Sequence, residues 1–394
     1  MSLEHYSRWL LSVQLLLLYS MVATASKVPA LIVFGDSSVD SGNNNYIQTV
    51  ARSNFRPYGR DLGGGSPTGR FSNGRLTTDF LSEALGLPQL VPAYLNPNMS
   101  IAEFASGVCF ASAGTGYDNA TSDVLSVIPL WKELEYFKEY REKLKSFQGE
   151  AKAQETLSEA LYVMSLGTND FVENYYVLPH RPSQFTVAEY EDFLVGIAEE
   201  FVRSIYKLGA RKVELTGLPP MGCLPLERVK INPILGGCYE EYNKVAWDFN
   251  IKLQKLVDNL NQNLAGIRIV YGDVYDILFD AVQNSSSYGF ENVVVGCCGT
   301  GLFEMSYMCN RRSPFTCSDA NKYAFWDSMH PTERLNNIIA DKLMNTTLHE
   351  KIRELQYVIM PPEAPMASTK TRLSRKDPAK LRRKDPEIWL TFDS

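Results

Sequence analysis

Ser37 stands in Phe34-Gly35-Asp36-Ser37-Ser38, directly after the apolar run Ala30 to Phe34. A serine hydroxyl becomes a nucleophile when a base takes its proton, and the chain offers such a base far downstream. In Asp327-Ser328-Met329-His330 a carboxylate and an imidazole lie three residues apart. On a turn, that offset brings both side chains to one side. The carboxylate can then hold one ring nitrogen and leave the other facing the serine. Between these segments comes Gly167-Thr168-Asn169-Asp170, again after an apolar run. The Asn169 amide can donate to a developing oxyanion beside the backbone N–H groups of Ser37 and Gly114. Nucleophile, base, orienter and oxyanion donors are the parts of acyl transfer through a covalent intermediate. That chemistry needs neither a metal nor a cofactor.

Plainer readings exist for each part. Gly-Asp-Ser is a common turn tripeptide, and Asn169-Asp170 is a good turn former. Asp327 could cap a helix beside an incidental histidine, and His180 and His349 are read as solvated or structural. Gly116 stands close to Gly114, so either could approach a substrate. Location weighs for the chemical reading, because every candidate follows an element able to position it.

Those elements are short buried strands alternating with helices. Apolar runs at Ala30 to Phe34, Val108 to Phe110, Leu161 to Leu166, Lys212 to Leu215 and Ile267 to Tyr271 read as strands. Helical periodicity marks Thr78 to Leu85, stopped by Gly86, and Val127 to Leu144, Tyr190 to Leu208 and Tyr239 to Leu264. Pro331-Thr332-Glu333 opens a last helix toward Leu348. This alternation argues for an α/β fold with a parallel sheet covered on both faces. In such sheets sites form beyond the carboxyl ends of the strands. Gly35-Asp36-Ser37, Ala113-Gly114-Thr115-Gly116 and Gly167 to Asp170 all fall there. Gly35 supplies the backbone freedom to turn after the first strand, and a helical turn after Ser37 would aim N–H groups at an oxyanion. Gly63 to Arg70 reads as a flexible surface loop.

The termini differ from the body. Arg8, the apolar segment Trp9 to Leu18 and Ala23-Thr24-Ala25 form a secretory signal peptide over residues 1–25. Ser12 and Gln14 interrupt that segment, which is too short for an anchor. Residues 361–394 repeat Arg-Lys-Asp-Pro, carry about +3 and have little to bury; they read as a disordered basic tail. The net charge is −6, so the remainder sits near −9 and has no electrostatic reason to bind nucleic acid. With 394 residues, 45% of them hydrophobic, the chain has room for one large domain over residues 29–350.

Secretion suits the cysteines. Cys297, Cys298, Cys309 and Cys317 are close enough to cross-link a loop, and Cys223 and Cys238 to close another. Cys109, inside an apolar stretch, is the odd buried thiol. No histidine is interleaved to make the cluster a zinc site. Sequons at Asn98, Asn119, Asn284 and Asn345 fit a glycoprotein.

From about Pro29 to about Leu348 the chain resembles the plant secreted GDSL esterase/lipases of the SGNH hydrolase superfamily. The resemblance rests on four blocks in order: Phe34 to Asn44, Phe110 to Gly116, Gly167 to Asp170 and Asp327 to Thr332. It implies a three-layer α/β/α sandwich around a five-stranded, flavodoxin-like parallel sheet. It also implies Ser37 as nucleophile, His330 as general base, Asp327 as its orienter, and Ser37, Gly114 and Asn169 as the oxyanion hole. Ser38 replaces the Leu of the family's name, Cys109 stands where Asn is common, and the basic tail has no counterpart. The expectation is a monomeric, secreted enzyme of the cell wall or apoplast acting on lipid or small-molecule esters. An acyltransferase using the same residues, or a catalytically silent lipid- or wall-binding glycoprotein, are the alternatives. Neither the acyl nor the alcohol specificity is legible in the sequence.

Overall fold

Five short runs build the centre of the protein, the first four almost without exposed surface and the fifth, at the edge, exposed at Arg268. In the computed structural model, which describes residues 28–230 and 237–348, they are β1 (Leu31–Gly35), β2 (Gly107–Cys109), β3 (Leu161–Ser165), β4 (Lys212–Thr216) and β5 (Arg268–Gly272). They form one all-parallel sheet in the order β2-β1-β3-β4-β5. The order reverses at β1, so the ends of β1 and β3 flank the switch point where such sheets place their sites.

The helices of eight residues or more among the described residues are α1 (Thr77–Ala84), α2 (Leu130–Gln148), α3 (Glu150–Glu159), α4 (Val187–Lys207), α5 (Glu240–Asn263), α6 (Val274–Gln283) and α7 (Glu333–Leu343). Alternation along the strands sends neighbouring residues to opposite faces. Ile32, Phe34, Tyr162, Met164, Val213 and Leu215 pack with residues of α2, α4 and α5, among them Phe137, Phe201 and Phe249. Leu31, Val33, Leu161 and Val163 pack with Phe80 and Leu81 of α1 and Ala340 of α7. The result is the expected α/β/α sandwich, and both faces of the sheet are dry.

Two departures from the sequence reading have local causes. The helix foreseen from Val127 begins at Leu130 because Pro129 caps it, and it continues to Gln148, where Gly149 turns the chain at φ +81°. The segment Gly63 to Arg70 is exposed only in part. Gly63 and Gly64 meet solvent, but Arg70 is buried and grips Asp79 of α1 through Nε at 2.7 Å and Nη2 at 2.8 Å. That bidentate pair also leaves Asp79 to accept the Leu76 and Val91 N–H groups, so the loop's end is tied to the start of α1.

The proposed signal peptide (1–25), the basic tail (361–394), His349 and the last two residues of the 29–350 domain lie outside the described residues. Cys223–Cys238, Cys297–Cys317 and Cys298–Cys309 are disulfides, and Cys109 is a buried free thiol. Asn98, Asn119, Asn284 and Asn345 are all exposed. No helix among the described residues is long and apolar enough to cross a membrane, and no group of their His, Cys, Asp and Glu is placed to hold a metal ion.

Candidate active site

Gly35 ends β1 at φ +146°, and a Cβ there would lie 2.0 Å from the Ser165 carbonyl oxygen. Only glycine fits, and it lets the chain leave the sheet sharply. Asp36 N donates to that same oxygen at 3.0 Å, and Val39 N and Asp40 N close one helical turn onto Asp36 O. The turn expected after Ser37 is present, as a single one. Ser37 stands on it, half-buried, directly beyond the strand.

The polar residues after Ser37 fasten this turn to the next strand end. Asp40 accepts the Gly42, Asn43 and Ala113 N–H groups. Asn43 donates to the Cys109 and Ala111 carbonyls, and Asn44 to Ala51 and Ala113. Buried side-chain amides thus satisfy carbonyls at the end of β2 and just beyond it. Gly114, at φ +87°, lines the same cavity as Ser37. Gly116 packs instead on Asp170, whose Oδ1 a Cβ would meet at 2.2 Å. Of the two glycines, Gly114 is the one that lines the cavity with Ser37.

Asn169 arrives from the end of β3. Asp170 accepts the Tyr117 and Asp118 N–H groups and the Thr121 hydroxyl, which locks this segment to residues 117–121. One Asn169 amide hydrogen goes to Thr115 O at 3.0 Å. No other partner of this amide occurs among the described residues, and Asn169 lines the same cavity as Ser37.

The imidazole comes from a tight loop. Phe325 and Pro331 pair as an antiparallel bridge, Trp326 N donates to His330 O at 2.7 Å, and Thr332 N donates to Ala324 O. Asp327, at the turn, is fully buried and accepts the Met329 and His330 N–H groups. His330 Nδ1 lies 2.8 Å from both Asp327 oxygens, and Nε2 lies 2.8 Å from Ser37 Oγ. An ionised carboxylate only accepts, so Nδ1 carries the hydrogen and Nε2 faces Ser37 as acceptor. Burial lowers the His330 pKa, but the charge and hydrogen bond of Asp327 outweigh it and hold the pKa above the ordinary histidine value.

Three neighbours escaped the sequence reading. Tyr58 donates to Asp327, Phe71 lies against the His330 ring at 4.8 Å between centroids, and Glu173 lines the cavity beside Ser37. Tyr58 and Phe71 belong to an irregular segment and Glu173 to the wide helical turn Asp170–Tyr175, so no periodicity marked them. His180 is exposed, against Gln184.

The chain is similar to known proteins over most of its length. The GDSL-like Lipase/Acylhydrolase family model matches residues 31–343, the whole stretch from β1 to the end of α7. The chain belongs to this family. The GDSL esterase/lipases At2g04570, At4g26790 and At2g42990 of Arabidopsis thaliana are each 58% identical to it, over 333, 332 and 331 residues. Each alignment covers 84% of this chain and 95% of the relative.

Proposed function

We propose that this GDSL family member is a secreted serine esterase/lipase working through an acyl-enzyme. Family membership makes it an ester hydrolase. The observation that carries the mechanism is the 2.8 Å approach of His330 Nε2 to Ser37 Oγ, with Asp327 behind the ring. His330 takes the hydroxyl proton as Ser37 Oγ attacks the ester carbonyl carbon. The oxygen that gains the charge is held by the Ser37 and Gly114 N–H groups and by Asn169 Nδ2. As the C–O bond to the alcohol breaks, His330 returns the proton to the leaving oxygen. Water, deprotonated by the same nitrogen, then attacks the acyl carbon; the bond from that carbon to Ser37 Oγ breaks, and His330 returns the proton to Oγ.

Secretion is supported by the leader-like N-terminus, by three disulfides, which persist in oxidising compartments, and by four exposed sequons. The test is hydrolysis of p-nitrophenyl butyrate by the mature protein and by Ser37→Ala. Wild type should turn the ester over and label with a fluorophosphonate, whereas the variant should lose nearly all of both. Normal turnover by Ser37→Ala would remove the assignment.

A further inference from the structure

Two cavities meet at Ser37, Asn169, Met329 and His330. One runs among aliphatic side chains, including Val39, Leu81, Val163, Leu278 and Ile339. The other, of about 190 Å³, has Val50, Phe71, Leu125, Met305 and Met308 in its walls and one carboxyl, that of Glu173. An ester has an arm on each side of its carbonyl, so a serine at such a junction receives one arm in each cavity.

Glu173 is out of keeping with its walls. It lies four residues after Asn169 in the wide turn Asp170–Tyr175, and both residues line this cavity. No side-chain hydrogen bond to Glu173 occurs among the described residues, and its Oε2 is buried without a partner. Buried polar atoms are almost always satisfied, and one left unmade costs about 1–3 kcal/mol. Wide helical turns also recur at functional positions. The charges it senses are those of His330 and Asp36, at the reacting centre, and burial pushes its pKa up to about 7. At neutral pH and below it is therefore a group that both donates and accepts. An aliphatic hydroxyl matches that in either protonation state, whereas an ammonium would have to be desolvated for a partner that is about half neutral at pH 7.

We propose that Glu173 is a specificity-determining residue, and that the enzyme prefers esters carrying a hydroxyl on the arm that enters this cavity. The inference rests on Ser37 being the nucleophile. A hydroxyl on either the alcohol or the acyl arm supplies the same chemistry, and the experiment separates the two sources.

Butyrates of ethylene glycol, 1,3-propanediol and 1,4-butanediol are compared with those of n-propanol, n-butanol and n-pentanol, which carry methyl where the diol has hydroxyl. Propyl esters of the matching ω-hydroxy and plain acids form the second series. A pocket built to bond a hydroxyl discriminates strongly against the analogue lacking it. Wild type should favour the hydroxylated member of at least one pair about 10-fold or more in kcat/KM. Glu173→Leu should bring that ratio to near 1, and Glu173→Gln, which still donates and accepts, should keep much of it. The proposal is overturned if wild type shows no preference in either series, or if Glu173→Leu and Glu173→Gln both leave the ratio unchanged. Fluorophosphonate labelling of Ser37 in each variant separates the two readings. A labelled variant with an unaltered ratio condemns the role of Glu173 alone, and an unlabelled, inactive wild type condemns the mechanism beneath it.

Discussion

The Tyr58 hydroxyl donates to Asp327 Oδ2 across 2.6 Å and accepts the Ser306 N–H at 2.8 Å. Burial and the adjacent carboxylate push the Tyr58 pKa far up, so the hydroxyl keeps its hydrogen and remains a donor. A chain of contacts thus runs from the disulfide-held segment at Ser306 through Tyr58 and Asp327 to His330 and Ser37. Tyr58→Phe keeps the ring and removes the link. The expected loss in kcat is about 10-fold with KM little changed, because in the proposed mechanism the carboxylate that orients the base is loosened. Stability should fall by about 1–3 kcal/mol, the cost of leaving the Ser306 N–H without its acceptor. Steady-state kinetics and urea unfolding of the same preparation check both.

In the proposed mechanism His330 works as a base only when neutral, and its pKa is raised by Asp327. Activity should therefore fall, as pH is lowered, through an apparent pKa above the ordinary histidine value near 6.5. Asp327→Asn removes the charge while burial still disfavours imidazolium, so the acid limb should move to lower pH. The amide also spoils the tautomer, and kcat should drop by about 10³–10⁴. A pH–rate profile of both proteins reads the two effects separately.

How much of this was visible in the chain depends on what fixes each residue's position. The five strands were legible within a residue or two because they are runs buried on both faces, as at Leu31–Gly35 and Lys212–Thr216. Ser37, Asn169 and His330 were legible because each sits one step beyond such an element or within a short turn. α3 was missed because Ala153, Thr156 and Leu157 are its only buried positions in a polar segment. α6 was legible in principle, since Ile277, Leu278, Ala281 and Val282 recur at helical spacing and form its buried face. Tyr58 and Phe71 were illegible for a different reason. Their place is set by the path of an irregular loop, and that path is dictated by distant partners such as Ser306 and Asp327.

Asn169 spends one amide hydrogen on Thr115 O, which fixes its rotamer before any substrate arrives. Asn169→Ala should lower kcat by about 10²–10³ with a smaller change in KM, the signature of a donor that matters most to the transition state. Gly114→Ala should be impaired by another route. Its φ of +87° strains any side chain, and the new Cβ would press Leu125 at 3.2 Å. That variant should lose stability as well as activity, which thermal melts will distinguish from the Asn169 effect.

Cys297 N and Cys298 N donate to the Phe325 and Trp326 carbonyls, immediately before Asp327. The two disulfides Cys297–Cys317 and Cys298–Cys309 hold that strand of backbone in place, across separations of 20 and 11 residues. The double variant Cys298→Ser/Cys309→Ser should lose about 2–4 kcal/mol of stability. Esterase activity should vanish on heating before far-UV circular dichroism reports global unfolding, since the loop carrying Asp327 and His330 is released first. Coincident loss of both signals would show that the staple is not local.

Glu214 lies in the middle of β4 with no exposed surface, its carboxyl bonded among the described residues only to the Thr216 hydroxyl, and burial raises its pKa to about 8. Unfolded, the same carboxyl titrates near 4.3. Between those values the folded protein holds a proton that the unfolded chain has released, so stability falls as pH rises. The favourable contribution is complete below about pH 4 and gone once pH passes about 8. Asp40, raised to about 6, and Asp170, raised to about 7, act with the same sign. Glu214→Gln cannot ionise, so its Tm should decline less steeply than that of wild type from pH 5 to pH 8, and the gap between them should move in the variant's favour throughout. Parallel melting curves for the two proteins would mean that the carboxyl is already charged inside the sheet at pH 5, and that Thr216 alone offsets its desolvation.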